Sequence, residues 1–204
     1  MVILAIDTSV GVSVAVHSGT ELLSDATVTQ HGVQGEWTAQ MVRDGLAEAG
    51  ASPADVSVVV VGVGPGPFTG LRVGIVTATT FGLARSVPVV GACSLDAVAH
   101  DSGGDCVVVT DARRKELYVA DYRADGEPFV ATPAGIAERF PGARFVGPGA
   151  QLYPDLVNGE EMPLRAAALA ELHATGTLRA RPVTAMYLRA PDAQVPTLRK
   201  AVTP

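Results

Sequence analysis

Two apolar runs rich in β-branched residues each end in an aspartate, "VILAID" (Val2–Asp7) and "CVVVTD" (Cys106–Asp111), and they constrain the fold more than any other feature. A continuous apolar run suits a strand covered on both faces, so each run demands layers above and below it. The segments after the two runs are alike in kind. After the first, "GVSVAVHSG" alternates, with Val12, Val14 and Val16 on one face, and "ELLSDATVT" continues past a turn at Ser18–Gly19. After the second, "ELYVADYRA" alternates and "EPFVATP" comes next. Each half then runs on into helix and strand. The pattern reads as an internal duplication with its boundary in "HDSGGD", His100 to Asp105. One continuous α/β sheet with a coincidental likeness stays open as the alternative.

The remaining elements are read from periodicity. Trp37, Met41, Val42, Leu46 and Ala49 recur at helical spacing, and Gly50 supplies the stop. "DVSVVVVGVG" predicts a second central strand, Phe68 to Arg85 a second helix, and "VPVVGA" a short strand. Ser94 is placed to cap the next helix. A helix from Pro133, a strand over Ala143 to Val146 and an alanine-rich helix near Leu164 to Thr175 complete the second half. The tail "RPVTAMYLRAPDAQVPTLRK" is punctuated by proline and predicts an extended path along the surface.

Composition narrows the function classes. Apolar residues make up 48% of the 204, charged residues 18%, and the net charge is -6. Such a chain folds around a core. It lacks the basic surplus of a duplex binder, so a partner would supply the basic surface for any work on RNA. Cys93 and Cys106 sit beside apolar residues with no CxxC spacing and predict buried, reduced thiols in a cytoplasmic protein. The N-terminus lacks a basic region, and no apolar run is long enough to span a bilayer.

Asp7 closes its strand and is followed by Thr8 and Ser9; Asp111 is its counterpart. Carboxylates at strand ends with hydroxyls in the turn can hold a magnesium-bound phosphate. They equally well accept hydrogen bonds from loop N–H groups, and spacing alone leaves the two readings even. "GVGPGPFTGLRVG" (Gly62–Gly74) is not a P-loop, because no lysine follows its glycines, and its glycine order is not that of dinucleotide loops. Beyond the turn, Gly70, Gly74, Ala78 and Gly82 recur every four residues, one face of a helix. Helical glycine costs roughly 1 kcal/mol against alanine, so the stripe calls for a close neighbour, in this chain or in another. Leu71, Val73, Ile75, Val76 and Phe81 make the helix apolar nearly all round, so it needs burial on two sides. Arg72 is its lone charge between Gly70 and Ala84. His17, His31, His100 and His173 form neither HxxxH nor HExxH, and no G-x-S-x-G elbow is present. The polar "DARRKELY" reads as a solvated turn or as a basic rim at a cleft.

"ILAIDTS", "GVGPGPFTGLRVG", "TDARRKELY" and "YLRAPDA", in that order, resemble the bacterial TsaB (YeaZ) family, the small paralogue of the tRNA threonylcarbamoyl-adenosine transferase. Residues 1–123 match well, and about 127–181 match less and are shorter. Pro67 stands where the family usually has Ser. Gln34 holds the place of a frequent family His, with His31 one turn earlier. The resemblance implies an α/β, two-lobed fold of the actin/Hsp70/sugar-kinase type, related to ribonuclease H, each lobe a mixed β-sheet flanked by helices. The N-terminal lobe would span 1–102 and carry the partner-binding helices, a smaller C-terminal lobe 103–190, and an extended or disordered tail 191–204.

It further implies a non-catalytic subunit without metal or cofactor, since the catalytic relative binds metal through an HxxxH this chain lacks. The implied partners are the TsaD-type transferase subunit, a TsaE-type P-loop ATPase and, in isolation, a second copy. Transfer RNA would be met only through the complex, and no membrane is involved. Trp37, Met41, Gly70, Arg72, Val73, Gly74, Thr77, Ala78 and Phe81 are carried onto the interface. Asp7, Thr8, Ser9 and Asp111 become a vestigial phosphate site. Two rivals are an ATP-dependent phosphotransferase of the same superfold using Asp7 and Asp111, with "VGPGAQ" (Val146–Gln151) as its only glycine motif, and a glycoprotease-like hydrolase, which lacks metal ligands.

Overall fold

A computed structural model describes residues 1–30, 32–124 and 126–189; His31 and the expected tail 191–204 lie outside the described residues. Strands β1 (Val2–Asp7), β2 (Val12–His17) and β3 (Leu22–Val28) form the expected antiparallel meander. Helix α1 (Gln34–Glu48) leads to β4 (Val56–Gly62), which pairs parallel with β1. Helix α2 (Phe68–Arg85), strand β5 (Val89–Ala92) and helix α3 (Ser94–Asp101) come next.

The second half repeats the scheme. Strands β6 (Val107–Asp111), β7 (Leu117–Asp121) and β8 (Phe129–Ala131) form a meander, and after α4 (Pro133–Arg139) the short β9 (Phe145–Val146) pairs parallel with β6. Helix α5 (Ala166–Ala174) and β10 (Ala180–Arg181) end the described elements. The sheets run β10-β5-β4-β1-β2-β3 and β8-β7-β6-β9. The likeness of the two halves is thus one of strand order and direction, and the single continuous sheet is set aside.

Strand alternation distributes the core. Leu4, Ile6, Val14, Val16, Val59 and Val61 face α1 and α2, against Met41, Val42, Leu46 and Ala78. Ile3, Ala5, Ala15, Val58 and Val60 face the other way, onto α3 and α5. That second face is rich in alanine, and so is α5, whose Ala166–Ala170 are all buried. Small side chains on both surfaces let helix and sheet approach closely. Val108, Ala120 and Val146 of the second sheet join the same cluster, so α3 and α5 are covered by both sheets.

Two expectations need correction. Ser94 does not cap α3; Cys93 is the N-cap residue and the Ser94 hydroxyl is used elsewhere. The alanine helix starts at Ala166, where the Ser13 hydroxyl of β2 accepts the Ala166 N–H at 2.7 Å. Residues of the stretch expected as the smaller C-terminal lobe, 103–190, also take part in the first sheet and its layer: α5 packs on β1 and β2, and β10 pairs with β5.

Candidate functional site

The turn after β1 is closed on its own side chains. Asp7 is 2% exposed, and its carboxylate accepts hydrogen bonds from the Ser9 N–H (2.8 Å), the Ser9 hydroxyl (2.6 Å) and the Ser94 hydroxyl (2.5 Å). A Cβ on Gly62 would lie 1.6 Å from Asp7 Oδ2, so β4 passes directly against the carboxylate. Burial pushes the Asp7 carboxyl above its ordinary range, and the bonds from Ser9 and Ser94 pull the other way. This is the loop-stabilising reading of Asp7, with its oxygens already committed to the chain. Asp111 accepts the Arg113 N–H at 2.7 Å and pairs with the Arg113 guanidinium at 3.0 Å. Arg113, Arg114 and Lys115 all have positive φ (62°, 54° and 59°), so "DARRKELY" forms a tight left-handed turn.

Thr8 explains the glycine stripe. Its hydroxyl donates to the Gly70 carbonyl at 2.7 Å and accepts the Gly74 N–H at 3.0 Å, linking two groups one helical turn apart. A Cβ at Gly74 would lie 2.4 Å from Thr8 Oγ1, one at Gly70 2.8 Å from Thr8 O, and one at Gly82 2.3 Å from Val89 Cγ2. Gly66 is pressed in the same way against Ser9. Gly64, at φ 106°, adopts a conformation that L side chains avoid. The stripe of Gly70, Gly74, Ala78 and Gly82 therefore faces this chain's own β1 turn and β5. The expectation that Gly70, Gly74 and Ala78 meet a partner is corrected on that ground, and Met41, 6% exposed, belongs to the core beneath α1.

The opposite side of α2 is open. Phe68 (45% exposed), Arg72, Val76 (60%), Thr80 and Leu83 (83%) recur at three- to four-residue spacing and form one exposed stripe, apolar at three of its five positions. Val76, Thr77 and Phe81 line one wall of a groove of about 790 Å³; Ala39, Val42 and Leu46 of α1 line the other. Trp37 is 46% exposed but does not line the groove. It precedes Ala39 by two residues, roughly 200° of helical turn, and points to the other flank of α1. Of the expected interface set, Arg72, Val73, Thr77 and Phe81 thus lie on or beside the open face. Val76 and Leu83 were hidden in the sequence because α2 is apolar on both sides.

The first turn of α2 carries a cluster that periodicity did not reveal. Tyr187 stacks on Phe68 with ring centroids 4.9 Å apart, the Arg72 guanidinium lies 3.6 Å over the Phe68 ring, and Arg72 Nε donates to the Tyr187 hydroxyl at 3.0 Å. The only sequence signal was the position of Tyr187 in "YLRAPDA". Among the described residues, no group of three or more His, Cys, Asp or Glu is placed to hold a metal ion, and no helix is long and apolar enough to cross a membrane.

This fold and site define a class: a duplicated, two-lobed α/β protein whose strand-end acid is occupied internally and whose N-terminal helix pair presents an open apolar face. Comparison with known proteins supplies the family. A family model described as TsaD, tRNA N6-adenosine threonylcarbamoyltransferase, matches residues 34–137. The Escherichia coli protein named tRNA threonylcarbamoyladenosine biosynthesis protein TsaB is 35% identical over 188 residues, covering 81% of this chain and 79% of that one. A Mycobacterium leprae protein is 41% identical over 159 residues, 73% of this chain, and the match spans only 42% of that protein's length. The solved structure of YeaZ from Pseudomonas aeruginosa superposes with a TM-score of 0.71 at 26% identity, covering 92% of this chain and 99% of that one. The chain belongs to the TsaB (YeaZ) family.

Proposed function

We propose that this protein is a non-catalytic, activating subunit of the machinery that places a threonylcarbamoyl group on the adenosine next to the tRNA anticodon, and that it pairs with the TsaD-type transferase subunit through the α1–α2 face. The observation that carries the reading is the exposed stripe of Phe68, Val76 and Leu83 beside an apolar groove, on a helix whose other side is already filled. Exposed apolar surface rimmed by polar groups marks a protein contact. The name of the Escherichia coli relative and the match to the transferase family support the choice of pathway. In this reading a TsaE-type P-loop ATPase joins the assembly in the cytoplasm, and the isolated protein self-associates through the same face. The net charge of -6 leaves tRNA to be met through the complex.

Val76→Asp puts a charge in the middle of the face without touching the core. It should abolish co-elution with the transferase subunit and leave the thermal unfolding midpoint within about 2 °C of the parent. Unchanged pairing would remove the docking assignment. The phosphotransferase alternative predicts micromolar binding of Mg-ATP by the isolated protein in calorimetry. The committed oxygens of Asp7 favour no binding there.

A further inference from the structure

Residues 180–189 form a strap from the open edge of the first sheet to the hairpin turn of the second. Ala180 and Arg181 pair with β5, and the strap backbone then crosses Gly91, where a Cβ would meet Arg181 O at 2.7 Å and Pro182 O at 2.9 Å. Val183 and Met186 pack into the two cores on either side of the first sheet, and the Met186 N–H donates to Val63 O at 2.8 Å. Beyond Tyr187, Arg189 pairs with Glu116 and donates to Arg113 O. Tyr187 is therefore held from both sides, by anchored backbone before it and an ion pair after it.

What Tyr187 does from that position is orient Arg72. Its hydroxyl takes the Arg72 Nε–H, while the Phe68 ring lies under the guanidinium plane. With Nε occupied and one face covered, the two terminal nitrogens are the groups left to meet a ligand. Among the described residues no carboxylate pairs with Arg72. Arg72 precedes Val76 by four residues, so this fork sits on the docking stripe itself, at the end nearest the strap. A guanidinium held in one plane is suited to a bidentate carboxylate, and less of its freedom remains to be lost on binding.

We propose that Arg72 is a specificity-determining residue of the docking face, reading an aspartate or glutamate on the partner's contacting helix, and that Tyr187 is the positioning residue that presents it. This inference rests on the docking reading of the α1–α2 face, and its test separates the two. Affinity for the transferase subunit is measured for the parent, Arg72→Gln, Tyr187→Phe and the double variant, at about 0.05 and 0.5 M salt. The Nε–H resonance of Arg72 is followed by NMR in each uncomplexed protein that retains the arginine. Tyr187→Phe keeps the ring and removes only the hydroxyl, so folding is preserved.

Arg72→Gln should weaken pairing on the order of tenfold at low salt and flatten its salt dependence. Tyr187→Phe should weaken it about threefold and broaden or lose the Arg72 resonance. In the double variant the tyrosine change should add nothing to the arginine change. Parent-like affinity for Arg72→Gln, or a tyrosine effect that persists undiminished without Arg72, overturns the inference. So does an unaltered Arg72 resonance in Tyr187→Phe. If Val76→Asp pairs as the parent does, the docking reading itself falls, and the proposal falls with it.

Discussion

A single threonine decides how the most distinctive segment of this sequence is used. Thr8 bridges Gly70 O and Gly74 N–H, so the glycines that look like a phosphate loop are clearances for the protein's own turn. Asp7 beside it ties stability to pH. Burial raises its pKa above the ordinary 3.8. A raised folded-state value means the folded form holds the proton more tightly than the unfolded one. The stabilising contribution is then full below about pH 4 and is lost as pH rises through the folded value. The stability of the parent minus that of Asp7→Asn should therefore fall from pH 4 toward neutrality, as measured by denaturant unfolding across a pH series. Spacing alone leaves Asp7 evenly divided between ligand and turn, because its partner Ser94, the first residue of α3, has no sequence spacing to betray it.

At the scale of elements, α2 shows what periodicity can and cannot say. Its limits, Phe68 to Arg85, were legible because an X-Pro turn precedes it and the apolar pattern runs unbroken to Arg85. Its orientation was not. With apolar residues on both sides, the glycine stripe looked as suited to a partner as to the core, and only the position of Thr8 and Val89 settles it. A substitution on the stripe should thus act as a core lesion. Gly74→Ala forces Thr8 from its place and should cost about 2 kcal/mol or more of unfolding free energy. Thr8→Ala should cost less in that background than in the parent, because the two side chains contest one space. Unaltered stability of Gly74→Ala would contradict this packing. Tyr187 was beyond the reach of such reading, since stacking on Phe68 is a meeting of segments far apart in the chain.

Across the whole molecule, one ion cluster fastens the layer between the sheets. Arg165, just before α5, makes two 3.0 Å bonds to Asp101 at the end of α3 and a third to Asp25 of β3. Among the described residues Asp25 Oδ1 has no hydrogen-bond partner, so the Asp25 charge leans on Arg165. Removing one member of a partly buried cluster leaves the others uncompensated; with Arg165 partly exposed, Arg165→Met should cost about 1–2 kcal/mol in chemical unfolding. A neutral result would show that solvent already screens the pair. The duplicated strand scheme was legible in the two runs ending in Asp. The return of α5 and β10 to the first sheet was not, because nothing in "AAALAELHA" or "AR" says which sheet they will join.

That return sets a timetable. Ala180 pairs with Ala92, so the ribosome must complete the entire second sheet before the first one gains its last strand. Until then β5 is an open edge, the kind of surface that recruits unwanted strands, and Arg72 lacks the tyrosine that aligns it. A nascent chain can bury most of its N-terminal core and still be unready to assemble. Readiness comes only with the strap, which follows the strands of both sheets in the chain.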